Sequence, residues 1–183
     1  MPGKSAREAY NNYAAPLKDV LACVTAVQVL RPPHSNYGSV DNPIEFAFLK
    51  NPAPLNGSHY SLLLSQYIHV GEILGSGGDW KVYTHGYRYQ ILNDSDAGRE
   101  IFAFHWDRRI ASSVPSAHLH VGFGTRLAEP PIDKKTHIPS GRVPIEDVVH
   151  FLIEELRIVS PRRYDWNEVV SKARENFMRN KSW

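Results

Sequence analysis

Apolar and polar residues alternate along three segments in the middle of the chain, which read WKVYTHGYRYQIL, REIFAFHWD and AHLHVGF. Strict alternation is typical of a strand that buries one face and exposes the other. The linker NDSDAG between the first two segments is rich in residues that tolerate tight turns. We therefore predict an antiparallel sheet with one apolar and one polar face.

The alternation also assigns side chains to the two faces of each predicted strand. In the first strand, five residues share one face: Lys81, Tyr83, His85, Tyr87 and Tyr89. In the second strand, the side facing the core carries Phe102, Phe104 and Trp106, and the other side carries Ala103, His105 and Asp107. In the third strand, the apolar side carries Leu119, Val121 and Phe123, and the polar side carries His118 and His120.

Further elements are predicted before this central region. The segment SAREAYNNYAAPLKDV has the composition of a short helix, interrupted near Pro16. The following LACVTAVQVL is rich in β-branched residues and ends at Pro32, which indicates a strand. Residues 34–43 are polar and predict a loop, and two more strands, IEFAFLK and HYSLLLSQYIHV, flank the turn-forming NPAPLNG.

The period of the pattern changes in the last third of the chain. Pro144 suits a first helical position, and apolar residues follow at helical spacing: Ile145, Val148, Val149, Leu152, Ile153 and Leu156. Pro161 ends that helix, and a second begins near Asp165, which forms a capping-box-like start with Glu168. Strands followed by helices predict an α+β fold whose C-terminal helices pack on the apolar face of the antiparallel sheet.

The length of 183 residues suits a single α+β domain spanning 1–183. Within it we predict a short N-terminal helical arm over about residues 1–19 and a basic C-terminal helix over about 165–180. Residues 157–183 contain seven basic and three acidic side chains, although the whole chain has a net charge of only +2. This basic end indicates a solvated helix face or a contact with nucleic acid or another acidic partner.

Composition narrows the class of protein. Apolar residues make up 42% of the chain and charged residues 22%, as in ordinary globular proteins. Neither a secretory leader nor an apolar run of membrane-spanning length occurs, so we expect no membrane contact. The only cysteine, Cys23, excludes an intrachain disulfide and is expected to be buried. Together these features favour a cytoplasmic protein.

Four histidines carry the candidate chemistry. On a strand, residues two apart lie about 6.5–7 Å from each other on the same face, so His118 and His120 point the same way. If their strand pairs with the preceding one, His105 and Asp107 join them. His137, in KKTHIPSGR, precedes the helix that begins at Pro144, and the same loop contains Arg142.

These residues suit metal-independent cleavage of RNA, which requires no cofactor. His118 and His120 would take a proton from the ribose 2′-hydroxyl and donate one to the departing 5′-oxygen, with His137 assisting. Arg142, with Lys134 or Lys135, would stabilise the phosphorane, and His105 and Tyr87 complete the expected substrate-binding set. Tyr83, Tyr87 and Tyr89 would stack on exposed bases if their face is in contact with water.

Two alternatives use the same residues differently. His-x-His on a strand is a usual spacing for metal ligands, and His137 or His105 would supply the third ligand of a zinc-dependent hydrolase. In the other alternative the histidines are structural, and the protein is a non-enzymatic domain that binds nucleic acid or protein through its basic end and aromatic strand.

The order of the segments YRYQIL, FAFHWD, AHLHVG and THIPSGRVPIEDVVHFLIEEL resembles the TumE family of small toxin–antitoxin proteins, over roughly residues 60–158. The resemblance implies a toxin-like protein that acts on RNA and is held by an antitoxin partner. It carries over His118, His120, His137 and Arg142 as functional residues. The chain differs from the family pattern by a long N-terminal extension and a second C-terminal helix.

Overall fold

The computed structural model of the chain describes residues 2–30, 36–94, 98–108, 116–122 and 137–180. Within these ranges the helices are α1 (Ala6–Leu21), α2 (Ile145–Glu154) and α3 (Trp166–Asn180). The strands are β1 (Ile44–Ala47), β2 (Ala53–Pro54), β3 (Tyr60–Glu72), β4 (Trp80–Asn93), β5 (Arg99–Asp107), β6 (His118–Val121) and β7 (Ile138–Pro139). None of the helices in the described part of the chain is long and apolar enough to cross a membrane.

The strands form one antiparallel sheet in the order β1-β3-β4-β5-β6-β7, with β2 also paired to β3. Neighbours in the chain are therefore neighbours in the sheet from β3 to β7, as expected where short connections join alternating segments. The predicted α+β fold is confirmed, including the two C-terminal helices.

The two faces of the sheet differ in what covers them. The helix face packs against the helices: the ring of Tyr13 in α1 meets Phe46 edge-on, and Phe151 in α2 meets Phe102. The opposite side, called here the polar face, contains Ser65, His69 and His105 among other polar side chains. The predicted positions of Phe102, Phe104 and Trp106 on the face towards the core are confirmed, whereas Phe123 lies outside the described residues.

A β-bulge in β4 overturns part of the face assignment. Tyr67 lies opposite Gly86 and Ile68 opposite Thr84, so His85 is an extra residue in the pairing. An extra residue reverses the alternation beyond it. Tyr87 and Tyr89 consequently lie on the helix face, where they are 2% and 0% exposed. The prediction that they share a face with Lys81, Tyr83 and His85 is wrong.

Two predictions near the N terminus are also wrong. Helix α1 runs through Pro16 without interruption, because Ala9, Tyr13, Leu17 and Val20 bury one continuous side of it. That burial offsets the cost of about 3 kcal/mol for an interior proline. The segment LACVTAVQVL is not a strand: its first residue ends α1, and Val29 makes only an isolated bridge to Phe48.

The C-terminal helices begin close to the predicted positions, but α2 ends at Glu154 and does not continue to Pro161 as predicted. Ile145, Val148, Val149 and Leu152 are buried at the predicted helical spacing. Pro144 is the N-cap of α2 and not its first helical residue, a difference of one position. The carboxylate of Asp165, expected in a capping box with Glu168, instead forms an ion pair with Arg162, at 2.6 Å between Nη2 and Oδ2.

Glu146 is a buried carboxyl in the first turn of α2, only 2% exposed. Burial raises its pKa from 4.5 to about 7. The unfolded chain ionises near pH 4.5, whereas the folded protein keeps this carboxyl neutral until about pH 7. The contribution of neutral Glu146 to the free energy of unfolding is therefore fully present below pH 4.5. This contribution is lost as the pH rises to about 7.

We expect Glu146→Gln to be more stable than the wild type at pH 8, by an amount on the order of 3 kcal/mol, because glutamine cannot ionise. The advantage should disappear near pH 4. Urea denaturation at both pH values measures the difference. Glu154→Gln, at an exposed position of the same helix, is the matched control. A difference for Glu146→Gln that does not change with pH would contradict the prediction.

Candidate functional site

Four imidazole rings meet on the polar face at the β5–β6–β7 edge of the sheet. The centroids of His118 and His120 are 4.9 Å apart, and His105 lies 5.7 Å from the first and 4.9 Å from the second. The ring of His137 is 4.8 Å from His118 and 4.6 Å from His120. The expectation that these histidines form one patch is confirmed.

Strand register produces this cluster. His105 in β5 is directly opposite His118 in β6, and residues directly opposite each other present their side chains on the same face. His120 is opposite Ala103, whose methyl group leaves space for the neighbouring ring. Pairing of Ile138 with Leu119 places His137, one residue earlier, beside His120.

Gly122 allows β6 to lie against β5 immediately after the His-x-His segment. Its N–H donates a hydrogen bond of 2.8 Å to the carbonyl of Ile101. A β-carbon at this position would lie 2.0 Å from the carbonyl oxygen of Glu100, which is far inside van der Waals contact. The glycine therefore helps to set the distance between His105 and the two histidines of β6.

His105 is neutral at physiological pH. Burial lowers its pKa to about 3, with smaller contributions from the charges of His120 and Arg88. Its Nε2 atom is buried and has no hydrogen-bond partner among the described residues. A buried nitrogen without a partner costs roughly 1–3 kcal/mol, so this atom is an unfilled hydrogen-bonding or ligand position.

The tautomer of His118 follows from its neighbour. Its Nδ1 lies 2.8 Å from the carbonyl oxygen of Ser116, and a carbonyl can only accept, so Nδ1 carries the proton. In the neutral form of the ring, Nε2 is then the nitrogen that can bind a metal ion. Metal-binding histidines in proteins are oriented in this way by a carbonyl or carboxylate behind the ring.

His105, His118 and His120 have the arrangement of a three-histidine metal site. One ligand nitrogen from each lies within 4.8 Å of the others. Zn–N bonds of about 2.0–2.1 Å in a tetrahedral site require nitrogens about 3.3 Å apart, so the rings need to approach by at most about 1.5 Å. Among the described residues, no carboxylate or thiol belongs to this group.

Arg142 does not join the cluster, contrary to the sequence prediction. Its guanidinium carbon lies 4.0 Å from the centre of the Trp106 ring. Trp106 follows His105 in β5 and therefore points to the helix face. Arg142 thus lies across the sheet from the imidazoles. Lys134 and Lys135, the other predicted cations, lie outside the described residues.

Tyr87 is also absent from the polar face. Its ring stacks on Tyr89, with centroids 4.7 Å apart, and its hydroxyl accepts a hydrogen bond of 2.8 Å from the N–H of Val143. Both interactions lie in the core between the sheet and α2. The ring therefore offers no open surface to a base, in contrast to the expected stacking role.

The sequence interpretation missed Arg88, which the bulge at His85 moves onto the polar face. Arg88 lies directly opposite His105 and is exposed. Arg88 therefore supplies a positive charge on the face of the imidazoles, where Arg142 was expected to supply one. The signal in the sequence is weak, because Arg88 falls on the polar face only once the extra residue in β4 is known.

A second pair of histidines, His69 and His85, also lies on the polar face. Nδ1 of His69 and Nε2 of His85 are 2.5 Å apart, and both side chains are 8% exposed. The ring of His69 stacks on Tyr83 at 5.0 Å, and burial lowers its pKa. Asp107, predicted near the four-histidine cluster, lies opposite Gly86 and is not part of the three-histidine group.

Comparison with known proteins identifies no relative, since no protein-family model, no curated protein and no solved structure matches the chain.

Proposed function

We propose that the protein is a metal-dependent hydrolase whose metal is held by His105, His118 and His120. The proposal is supported above all by three imidazole nitrogens, one from each ring, that lie within 4.8 Å of one another. His105 also has a buried nitrogen, Nε2, without a hydrogen-bond partner among the described residues. Three neutral nitrogen ligands with no carboxylate suit zinc in a catalytic site that keeps a fourth position open.

The chemistry follows from neutral ligands around a divalent cation. Such an ion lowers the pKa of its bound water to about 7, which supplies hydroxide at neutral pH. His105, His118 and His120 would hold the ion, and the ion would supply the water-derived nucleophile for hydrolysis of a phosphate ester. His137 is exposed and lies beside His118 and His120, which supports a role in contact with the substrate.

RNA remains the proposed substrate, and its support is the resemblance to the TumE family. An antitoxin-like protein partner is a proposal with the same origin, whereas action in the cytoplasm is a proposal that rests on composition. The basic α3 is compatible with contact to nucleic acid, but several of its charges are engaged locally: Arg174 pairs with Asp147 at 2.6 Å between Nε and Oδ1.

Metal-independent RNA cleavage is the second candidate. It is favoured by the position of exposed His137 next to His118 and His120, with the cation Arg88 nearby, because these groups can transfer protons and bind phosphate without an ion. His105 cannot be the general acid in this mechanism, because burial lowers its pKa to about 3. A general acid needs a protonated ring.

Labelled RNA incubated with the purified protein separates these functions. We expect cleavage that a chelator abolishes, that added zinc restores and that His120→Ala reduces by 10²-fold or more, on the order of the loss of one catalytic group. His150→Ala, an exposed histidine of α2, is the matched control and should cleave normally.

Two other outcomes would contradict the metal-dependent proposal. Cleavage that is insensitive to chelator but lost in His120→Ala would establish the metal-independent mechanism. If the labelled RNA stays equally intact with wild type, with His120→Ala and without protein, the result would favour a non-enzymatic interaction domain.

A further inference from the structure

Arg88 places a positive charge immediately beside the three-histidine group. It lies one strand away from His105, on β4, and residues directly opposite each other across an antiparallel pair have β-carbons about 4.5–5.5 Å apart. The two side chains extend from the same face of the sheet. The charge on Arg88 is close enough to contribute to the lowered pKa of His105.

The guanidinium of Arg88 is not committed to another group. Within the described ranges of the chain, it forms no ion pair and no hydrogen bond. Two carboxylates on this face accept hydrogen bonds from other side chains, Glu100 from Gln90 and Glu45 from Ser65. A third, Asp107, lies opposite Gly86, two residues from Arg88. With respect to the described residues, Arg88 is therefore an exposed cation whose donors have no other partner.

The surroundings of this cation favour an anion. The three-histidine group contains no carboxylate, so a bound divalent ion would keep its full charge and add to that of Arg88. A guanidinium has a planar fork of donors that matches two oxygens of a phosphate. Two neighbouring positive centres of this kind are a common arrangement for holding phosphoryl groups.

We propose that Arg88 binds a phosphate group of the substrate beside the histidine cluster, and that the substrate is consequently a phosphoester anion. This inference rests on the proposed hydrolase function and specifies its substrate class. Arg88 acts here as a binding residue: it holds the anion while the reaction takes place at the histidines. Arg142, expected from the sequence to have this role, faces the other side of the sheet.

Inorganic phosphate is the probe for the test, and isothermal titration calorimetry of the full chain loaded with zinc is the measurement. We expect Arg88→Gln to weaken phosphate binding by about 10- to 100-fold, the usual effect of losing a hydrogen-bonded charge. Arg88→Lys should bind with intermediate affinity, because lysine keeps the charge but not the fork. Arg142→Gln is the matched control and should bind phosphate as the wild type does.

Zinc content, measured separately for each protein, distinguishes this inference from the proposed function. Unchanged phosphate affinity in Arg88→Gln at full zinc occupancy would overturn the inference and leave the metal centre standing. If the wild type takes up no zinc, the hydrolase proposal fails, and the titration is repeated on the metal-free protein. Phosphate binding that depends on Arg88 would then still support the anion site, and absence of such binding would overturn it.

Discussion

Replacing His118 by alanine is expected to weaken zinc binding by about 100-fold or more, because it leaves two of the three imidazole ligands. Loss of even a residue that only orients a ligand typically costs 10- to 100-fold in metal affinity. Competition with a chromophoric chelator measures the affinity. His150→Ala should keep wild-type affinity, because His150 lies next to Trp166 in the helical layer. Equal zinc affinity in His118→Ala and wild type would exclude the proposed ligand set.

A second ligand substitution separates loss of metal from loss of folding. His105→Leu removes a ligand and also removes the buried Nε2 atom that has no hydrogen-bond partner. The metal-free variant should therefore be at least as stable as the metal-free wild type, although it no longer binds zinc. Thermal melts with chelator and with zinc compare the two. Zinc should raise the Tm of the wild type only, since a ligand that binds the folded state stabilises it.

Replacing Gly122 by alanine is expected to destabilise the protein by roughly 2–4 kcal/mol, because a β-carbon there would lie 2.0 Å from the carbonyl oxygen of Glu100. The oxygen belongs to the backbone, so β6 has to move away from β5. Denaturant unfolding measures the loss of stability. Zinc affinity should fall as well, since the movement separates His105 from His118 and His120.

Gly141→Ala is the matched control for this substitution. No atom lies within 4 Å of a β-carbon built on Gly141, so its stability should stay within about 0.5 kcal/mol of the wild type. A variant Gly122→Ala as stable as Gly141→Ala would show that the contact between β5 and β6 is not constrained by this glycine.

Local patterns were sufficient for much of the fold. Alternation in REIFAFHWD and HLHV assigns Phe102, Phe104 and Leu119 to the helix face and the histidines to the polar face, since successive side chains of a strand point in opposite directions. The spacing of apolar residues in α2 likewise places Val148 and Leu152 in the core. Each of these inferences requires only the geometry of one element.

Local patterns fail where a neighbouring strand or helix changes the result. The same alternation, applied to β4, places Tyr87 with His85, but pairing with β3 makes His85 a bulge and reverses every later residue. Pro16 suggests a break in α1, but packing on the sheet favours a continuous helix. The apolar, β-branched residues of LACVTAVQVL suggest a strand, but several of them are buried without forming one, because this segment fills the core after α1 ends.

The sequence by itself determined the class of the fold and the presence of imidazoles on one face of one strand, because both depend on periods of a few residues. Only the tertiary structure decided which groups join them. Strand pairing brings His105 into reach of His118 and His120 and presents Arg88 beside them, whereas the connection into α2 takes Arg142 to the opposite face. These choices depend on the register and the bulges between paired strands, which the pattern within a single strand does not encode.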